Sequence, residues 1–160
     1  MLSDPETMSY NKGYHLDFPT YHNDTGCIDF PKDEWQSWYS CFIGQEPERY
    51  YAYITRLEDD AFLGEVNIHK ASRGGYHDMG IVLDAAYRGQ GYAAEALMLL
   101  LDYAFEKMNI SSVRNSFESE RGAAVRAHLS AGFTVASRQS GLLELLMTRE
   151  TFEKNKANRA

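Results

Sequence analysis

Arg88-Gly89-Gln90-Gly91-Tyr92-Ala93 is the stretch of this chain best suited to hold an anion. An apolar run, Ile81-Val82-Leu83, precedes it, and its β-branched centre reads as a buried strand. After it, Ala93, Ala96, Leu97, Leu100, Leu101, Ala104 and Phe105 recur at helical spacing, so a long helix runs on to Lys107. The first turn of a helix leaves backbone N–H groups without partners and carries the positive end of the helix dipole. Gly89 and Gly91 remove the side chains that would keep a ligand away, and Arg88 adds a full charge. The ligand expected from this chemistry is a pyrophosphate.

A dinucleotide fingerprint lacks its third glycine here, and no Lys-Ser/Thr pair follows as a P-loop requires. The spacing Arg88-x-x-Gly91-x-Ala93 instead resembles the Arg/Gln-x-x-Gly-x-Gly/Ala signature of the GNAT acetyltransferase superfamily, whose loop holds the pyrophosphate of acetyl-CoA. A second segment, Arg121 to Phe133, resembles the family's later helix, where relatives often show an Asn, then a Tyr, then Gly-Phe; here Gly132-Phe133 closes it. The two matches lie in the family's order and cover roughly residues 50 to 150.

The resemblance implies a fold, a cosubstrate and a set of site residues. The fold is mixed α/β (α+β): a mostly antiparallel central sheet of six or seven strands with helices on both faces. Acetyl-CoA is the cosubstrate, and an amine, most simply a small molecule, accepts the acetyl group directly. The pantetheine arm would lie in a gap between the strand at 77–83 and that at 112–118, on the main chain of Ile81, Val82 and Leu83. The diphosphate would sit on Arg88, Gly89, Gln90, Gly91, Tyr92 and Ala93. Arg121 stands where many relatives have Asn; a contact with the cofactor and a plain solvated arginine are both open. His128 takes the place of the family's Tyr, the residue often proposed to protonate the leaving sulfur. A histidine can do that near neutral pH; the plain alternative is a half-buried ring that packs or bonds a carbonyl. The replaced Tyr and missing Asn keep a catalytically silent acyl-CoA-binding module as the alternative to an enzyme.

Candidates for a general base lie on the strand at 62–69, although the resemblance also allows a water relay with no dedicated base. Glu65, Asn67 and His69 share one face by the period of two, with Val66 and Ile68 on the other. Glu65 or His69 could take the amine's proton, directly or through water, Asp78 one strand over is a third option, and Asn115 and Glu118 flank the same splay. Cys27 and Cys41 lie outside the matched stretch and are poor nucleophiles for a two-step route. They also lack C-x-x-C spacing, so no metal site is expected and a reducing cytoplasm is the default compartment.

Composition bounds the rest. At 160 residues with 44% apolar content, the chain reads as a single folded domain over 1–160. No apolar run approaches membrane-spanning length, and the first residues lack the regions of a signal peptide. A net charge of −7 argues against nucleic acid. Residues 1 to 60 hold twelve acids against four bases, while the remainder is nearly balanced. With 12 of the 21 aromatic residues, that acidic part, and residues 1–49 in particular, is expected to form the acceptor side and to attract a cationic amine. The first 30 residues show no periodicity, and no segment before Asp4 could supply the strand with which relatives open. A helix is expected over 31–44, a hairpin from about Tyr50 to His69, and a last strand pair ending at Thr148. The polar tail 151–160 is expected to fray. A homodimer is compatible with the sequence.

Overall fold

Two antiparallel strand clusters meet along one short parallel seam in the computed structural model, which describes residues 1–158. β1 (Arg49–Thr55) and β2 (Phe62–Lys70) form a hairpin whose turn places Asp60 in the left-handed region, at φ 56°. β3 (His77–Leu83) continues that ladder, with Glu65 opposite Val82 and Asn67 opposite Gly80. On the far side β4 (Ser112–Glu118), β5 (Thr134–Gln139) and β6 (Leu142–Thr148) make the second antiparallel group, turning at Ser140-Gly141. The six strands run β1-β2-β3-β4-β6-β5, with only β3 and β4 parallel. This is the mixed, mostly antiparallel sheet expected, with six strands. Among the described residues it has no strand before Arg49; the first 30 residues contain a 3-10 turn, Thr7–Asn11, and a lone bridge between Tyr21 and Ile28.

Strand periodicity decides which helix meets which face. Val66, Ile68 and Met79 point to one side and join Leu97, Leu100 and Leu101 of α2 (Tyr92–Asp102) in the main core. The helix then widens into a π turn over Tyr103–Lys107, and Asn109 at φ 54° ends it. On the opposite face α1 (Trp35–Phe42) lays Trp38 edge-on against Tyr51 of β1, ring centroids 4.7 Å apart. α1 buries none of its residues fully, and Trp35 and Tyr39 remain about half exposed. α3 (Gly122–Ser130) returns to α2, with His128 between Phe117 and Phe133.

The tail corrects the expectation of fraying. Arg149–Ala157 is a helix, α4, capped by Thr148, whose hydroxyl accepts from the Thr151 amide at 3.2 Å. Phe152 is buried and stacks on Phe105 at 4.7 Å, while Arg149 donates to the carbonyls of Phe105 and Ile110 that end the π turn. A polar composition hid one aromatic anchor and one guanidinium that supply the tertiary contacts. The last two tail positions, 159 and 160, lie outside the described residues. No helix among the described residues is long and apolar enough to cross a membrane. Phe152→Ala is expected to lower stability by about 3–5 kcal/mol, read as a fall in the urea midpoint at unchanged slope; an unchanged midpoint would show that α4 contributes nothing.

Candidate active site

The parallel seam is two residues long. His77 pairs with Val113 and Asp78 with Arg114, and beyond them the strands part. From Met79 onward the β4-facing edge of β3 has no ladder, and the gap opens into a cavity of about 910 Å³. Ile81, Val82 and Leu83 line one side of it, Asn115, Ser116 and Phe117 the other, and α3 contributes Ala124, Ala127 and His128. Buried main-chain groups normally find partners, so an edge left open inside a cavity is suited to a ligand that carries its own amides.

The mouth of the cavity is the glycine turn. Gly89 and Gly91 adopt φ 76° and 92°, the left-handed region that L side chains avoid, and a Cβ on either would meet nothing within 4 Å. Gly91 is the N-cap of α2, and the amides of Gly91, Tyr92 and Ala93 have no hydrogen-bond partner among the described residues. These open amides at the positive end of a helix fit a diphosphate.

Both arginines that the sequence points toward the cofactor line the cavity, and both are also held by peptide oxygens. Arg88 folds back: its Nε donates to the Leu83 carbonyl at 3.2 Å, and Nη2 donates to the carbonyls of Leu83 at 3.1 Å and Thr7 at 2.5 Å. Those oxygens lie beyond the reach of any ladder, and the planar fork of a guanidinium serves several of them at once. Thr7 completes the clamp by accepting from the Ala85 amide at 2.9 Å. Arg121 is not the solvated first-turn residue allowed for it either. It donates to the Tyr10 carbonyl at 2.9 Å, pairs with Glu118 at 2.5 Å and covers the Tyr10 ring. Gln90 turns its side-chain amide to the Ala86 carbonyl.

His128 is 1% exposed and lies on the cavity wall. Its Nδ1 donates to the Ala124 carbonyl at 2.8 Å, which leaves Nε2 as an acceptor for the Asn115 amide at 3.0 Å. Asn115 is oriented for this, because its own Oδ1 accepts from the Ser116 amide. Burial lowers the ring's pKa below the ordinary histidine value, more than the Ala124 bond raises it. In this arrangement Nε2 carries no proton to give a leaving thiolate, and the ring acts as a packed, neutral acceptor.

The two carboxylates proposed as bases fare differently. Asp78 sits at the closed seam, where Arg114 donates to it at 2.9 Å while also bonding Glu144 and covering Tyr76. It does not line the cavity and is corrected from base to structural ion pair: its lone pairs are already held by a guanidinium. Glu65 does line the cavity. It accepts a hydrogen bond from the Tyr51 hydroxyl, and burial raises its pKa above the usual glutamate value against that bond. His69 lies outside the cavity and is exposed. Tyr51, bonded to Glu65, and Tyr10, on the cavity wall, were not singled out in the sequence; Tyr51 could have been found from the hairpin register, which sets it opposite Asn67 and one step from Glu65.

Comparison with known proteins places these features. The family model described as an acetyltransferase (GNAT) domain matches residues 1–134. A probable N-acetyltransferase, YjcK, from Bacillus subtilis (strain 168) is 29% identical over 91 residues, 56% of this chain and 50% of that protein. The chain thus spans about half the length of the curated relative it matches. Among solved structures, a GNAT-family acetyltransferase from Bacillus anthracis superposes with a TM-score of 0.67 at 16% identity, covering 93% of this chain and 85% of that one. A mutant of the spermidine N-acetyltransferase SpeG from Vibrio cholerae gives 0.64 at 15%, covering 82% and 83%. The N-acetyltransferase PseH from Campylobacter jejuni, in complex with acetyl coenzyme A, gives 0.59 at 13%, covering 73% and 79%. At such identities the structural likeness is one of fold.

The state of His128 has a measurable signature. Its folded pKa is depressed, so below about pH 6.5 the unfolded chain takes up a proton that the folded ring refuses, and stability is lost as pH falls. His128→Gln is expected to remove that share of the slope in urea midpoints between about pH 5 and pH 8; an identical slope in the variant would mean the ring titrates alike in the folded and unfolded chains.

Proposed function

The chain belongs to the GNAT acetyltransferase family, and from that premise we propose that it moves an acetyl group from acetyl-CoA directly to the amine of a small molecule. The observation that carries this reading is the parting of β3 from β4 beside a helix N-terminus with open amides, because an extended amide-bearing arm and a diphosphate need those two features side by side. In this reading Gly91, Tyr92 and Ala93 hold the diphosphate through their N–H groups. Ile81 and Val82 offer the edge of β3 to the arm. Acetyl-CoA supplies an activated acyl group: the amine nitrogen bonds to the acyl carbon as the carbon–sulfur bond breaks. Glu65 accepts the amine's proton, and the raised pKa that burial gives its carboxyl suits a base working near neutral pH. Tyr51 donates to one carboxylate oxygen of Glu65 and leaves the other unclaimed by it. Neither Cys27 nor Cys41 lines the cavity, which supports direct transfer over an acyl-cysteine route. A reducing cytoplasm suits these two free thiols.

Spermidine N-acetyltransferases among the structures of like fold support a small amine as acceptor. One observation favours a second reading, a catalytically silent acyl-CoA-binding module: His128 keeps no proton at Nε2. Calorimetry with acetyl-CoA and an assay of CoA release separate the two, since tight binding without release across a broad amine panel is the silent outcome.

Two substitutions test the roles. Gly91→Val places a side chain in the diphosphate space with no protein atom to clash against, so it is expected to cost about 1–2 kcal/mol of backbone strain, keep the fold, and abolish saturable binding of CoA. Glu65→Gln is expected to leave acetyl-CoA binding intact and lower kcat by about 10²–10⁴-fold. The wild-type rate should climb with pH as Glu65 loses its proton, above the range of an exposed carboxylate, and the variant should lack that limb. Full activity in Glu65→Gln would remove it as the base.

A further inference from the structure

The cavity does not have the electrostatics that the acidic amino-terminal part leads one to expect. None of the twelve acids among residues 1 to 60 lines it, and Glu65 is the one carboxylate on its wall among the described residues. Several of those acids are paired at the surface, Asp29 with His22, Glu48 with Lys70 and Asp59 with Arg56. What the amino-terminal segment brings to the cavity is Leu2, Met8, Tyr10 and Ile28, an apolar and aromatic wall. The other fixed charges on the lining are the guanidiniums of Arg88, Arg121 and Arg126.

We infer that the acceptor is a primary amine with a single positive charge on an apolar stem, not a polyamine. The inference rests on the transferase reading above and adds to it the class of acceptor. One ammonium group meets Glu65. A second would find no further carboxylate on the lining among the described residues, since Glu118 is already held by Arg121, and an unpaired charge taken from water is strongly disfavoured. An alkyl or aryl stem, by contrast, leaves water for the wall of Leu2, Met8 and Ile28, and each buried methylene adds to affinity. Specificity in this cavity comes from what it refuses as much as from what it holds.

A matched set of acceptors tests this with the full chain and acetyl-CoA, reading CoA release: n-butylamine, n-hexylamine, the α,ω-diamine of the same six-carbon length, and spermidine. Hexylamine should exceed butylamine in kcat/KM by roughly tenfold, the effect of two buried methylenes, and exceed both the diamine and spermidine by at least about tenfold, the scale of one unpaired charge. Ile28→Asp, which sets a second carboxylate in the wall, should narrow or invert the preference for hexylamine over the diamine; circular dichroism establishes that this variant folds, and the wild-type comparison stands without it. Turnover in which the diamine or spermidine equals or surpasses hexylamine overturns the inference and leaves the transferase reading intact. Absence of saturable acetyl-CoA binding, or of CoA release with every amine, overturns both.

Discussion

Arg114 is the interaction on which the rest of the structure depends. It reaches from β4 to Asp78 on β3 and to Glu144 on β6, and lies over the Tyr76 ring at 3.9 Å. These bonds fasten the two antiparallel groups at the one place where they touch, the two-residue seam. Continuous pairing along β3 and β4 would close the sheet and leave no cavity. Without the seam the two groups would share only the core beneath them. The partly buried, charge-assisted bonds of one guanidinium hold the sheet together where it must be closed and leave the remainder of β3 to a ligand.

A second constraint acts at the other end of the gap. Arg88 and Arg121 both donate to carbonyls of the amino-terminal segment, and between them they fix Thr7 and Tyr10 over the cavity. That segment has little regular structure of its own, and its order comes from these clamps and from buried Met8 and Thr7. The wall that faces an acceptor is thus built from residues far from the glycine turn in sequence, joined to it by side-chain-to-main-chain bonds.

Much of this architecture was legible in the chain. The apolar run, the glycine turn and the apolar residues at helical spacing after it specify strand, turn and helix through local geometry alone, and the structure has the strand, the left-handed glycines and the helix where expected. The period of two on β2 separates Glu65 and Asn67 from Val66 and Ile68 and so points Glu65 to the cavity side. What local pattern cannot carry is the partner of a long side chain. The type and place of Arg88 and Arg121 do not show that peptide oxygens of residues 7 and 10 also bond them. Asp78 reads as a base until Arg114 is seen beside it, and the polar tail reads as frayed until Phe152 meets Phe105. Each miss turns on a contact more than thirty residues distant. His128 illustrates the same limit: its position was evident, but its protonation state depends on Ala124 and Asn115 together.

The bonds of Arg88 have a consequence for how the protein responds to its surroundings. This side chain is exposed, and its guanidinium is shared between strand end and amino-terminal turn. Salt screens a solvent-facing charge such as this one far more than a buried one. Order in the first dozen residues is therefore tied to a solvent-facing guanidinium at this edge of the molecule.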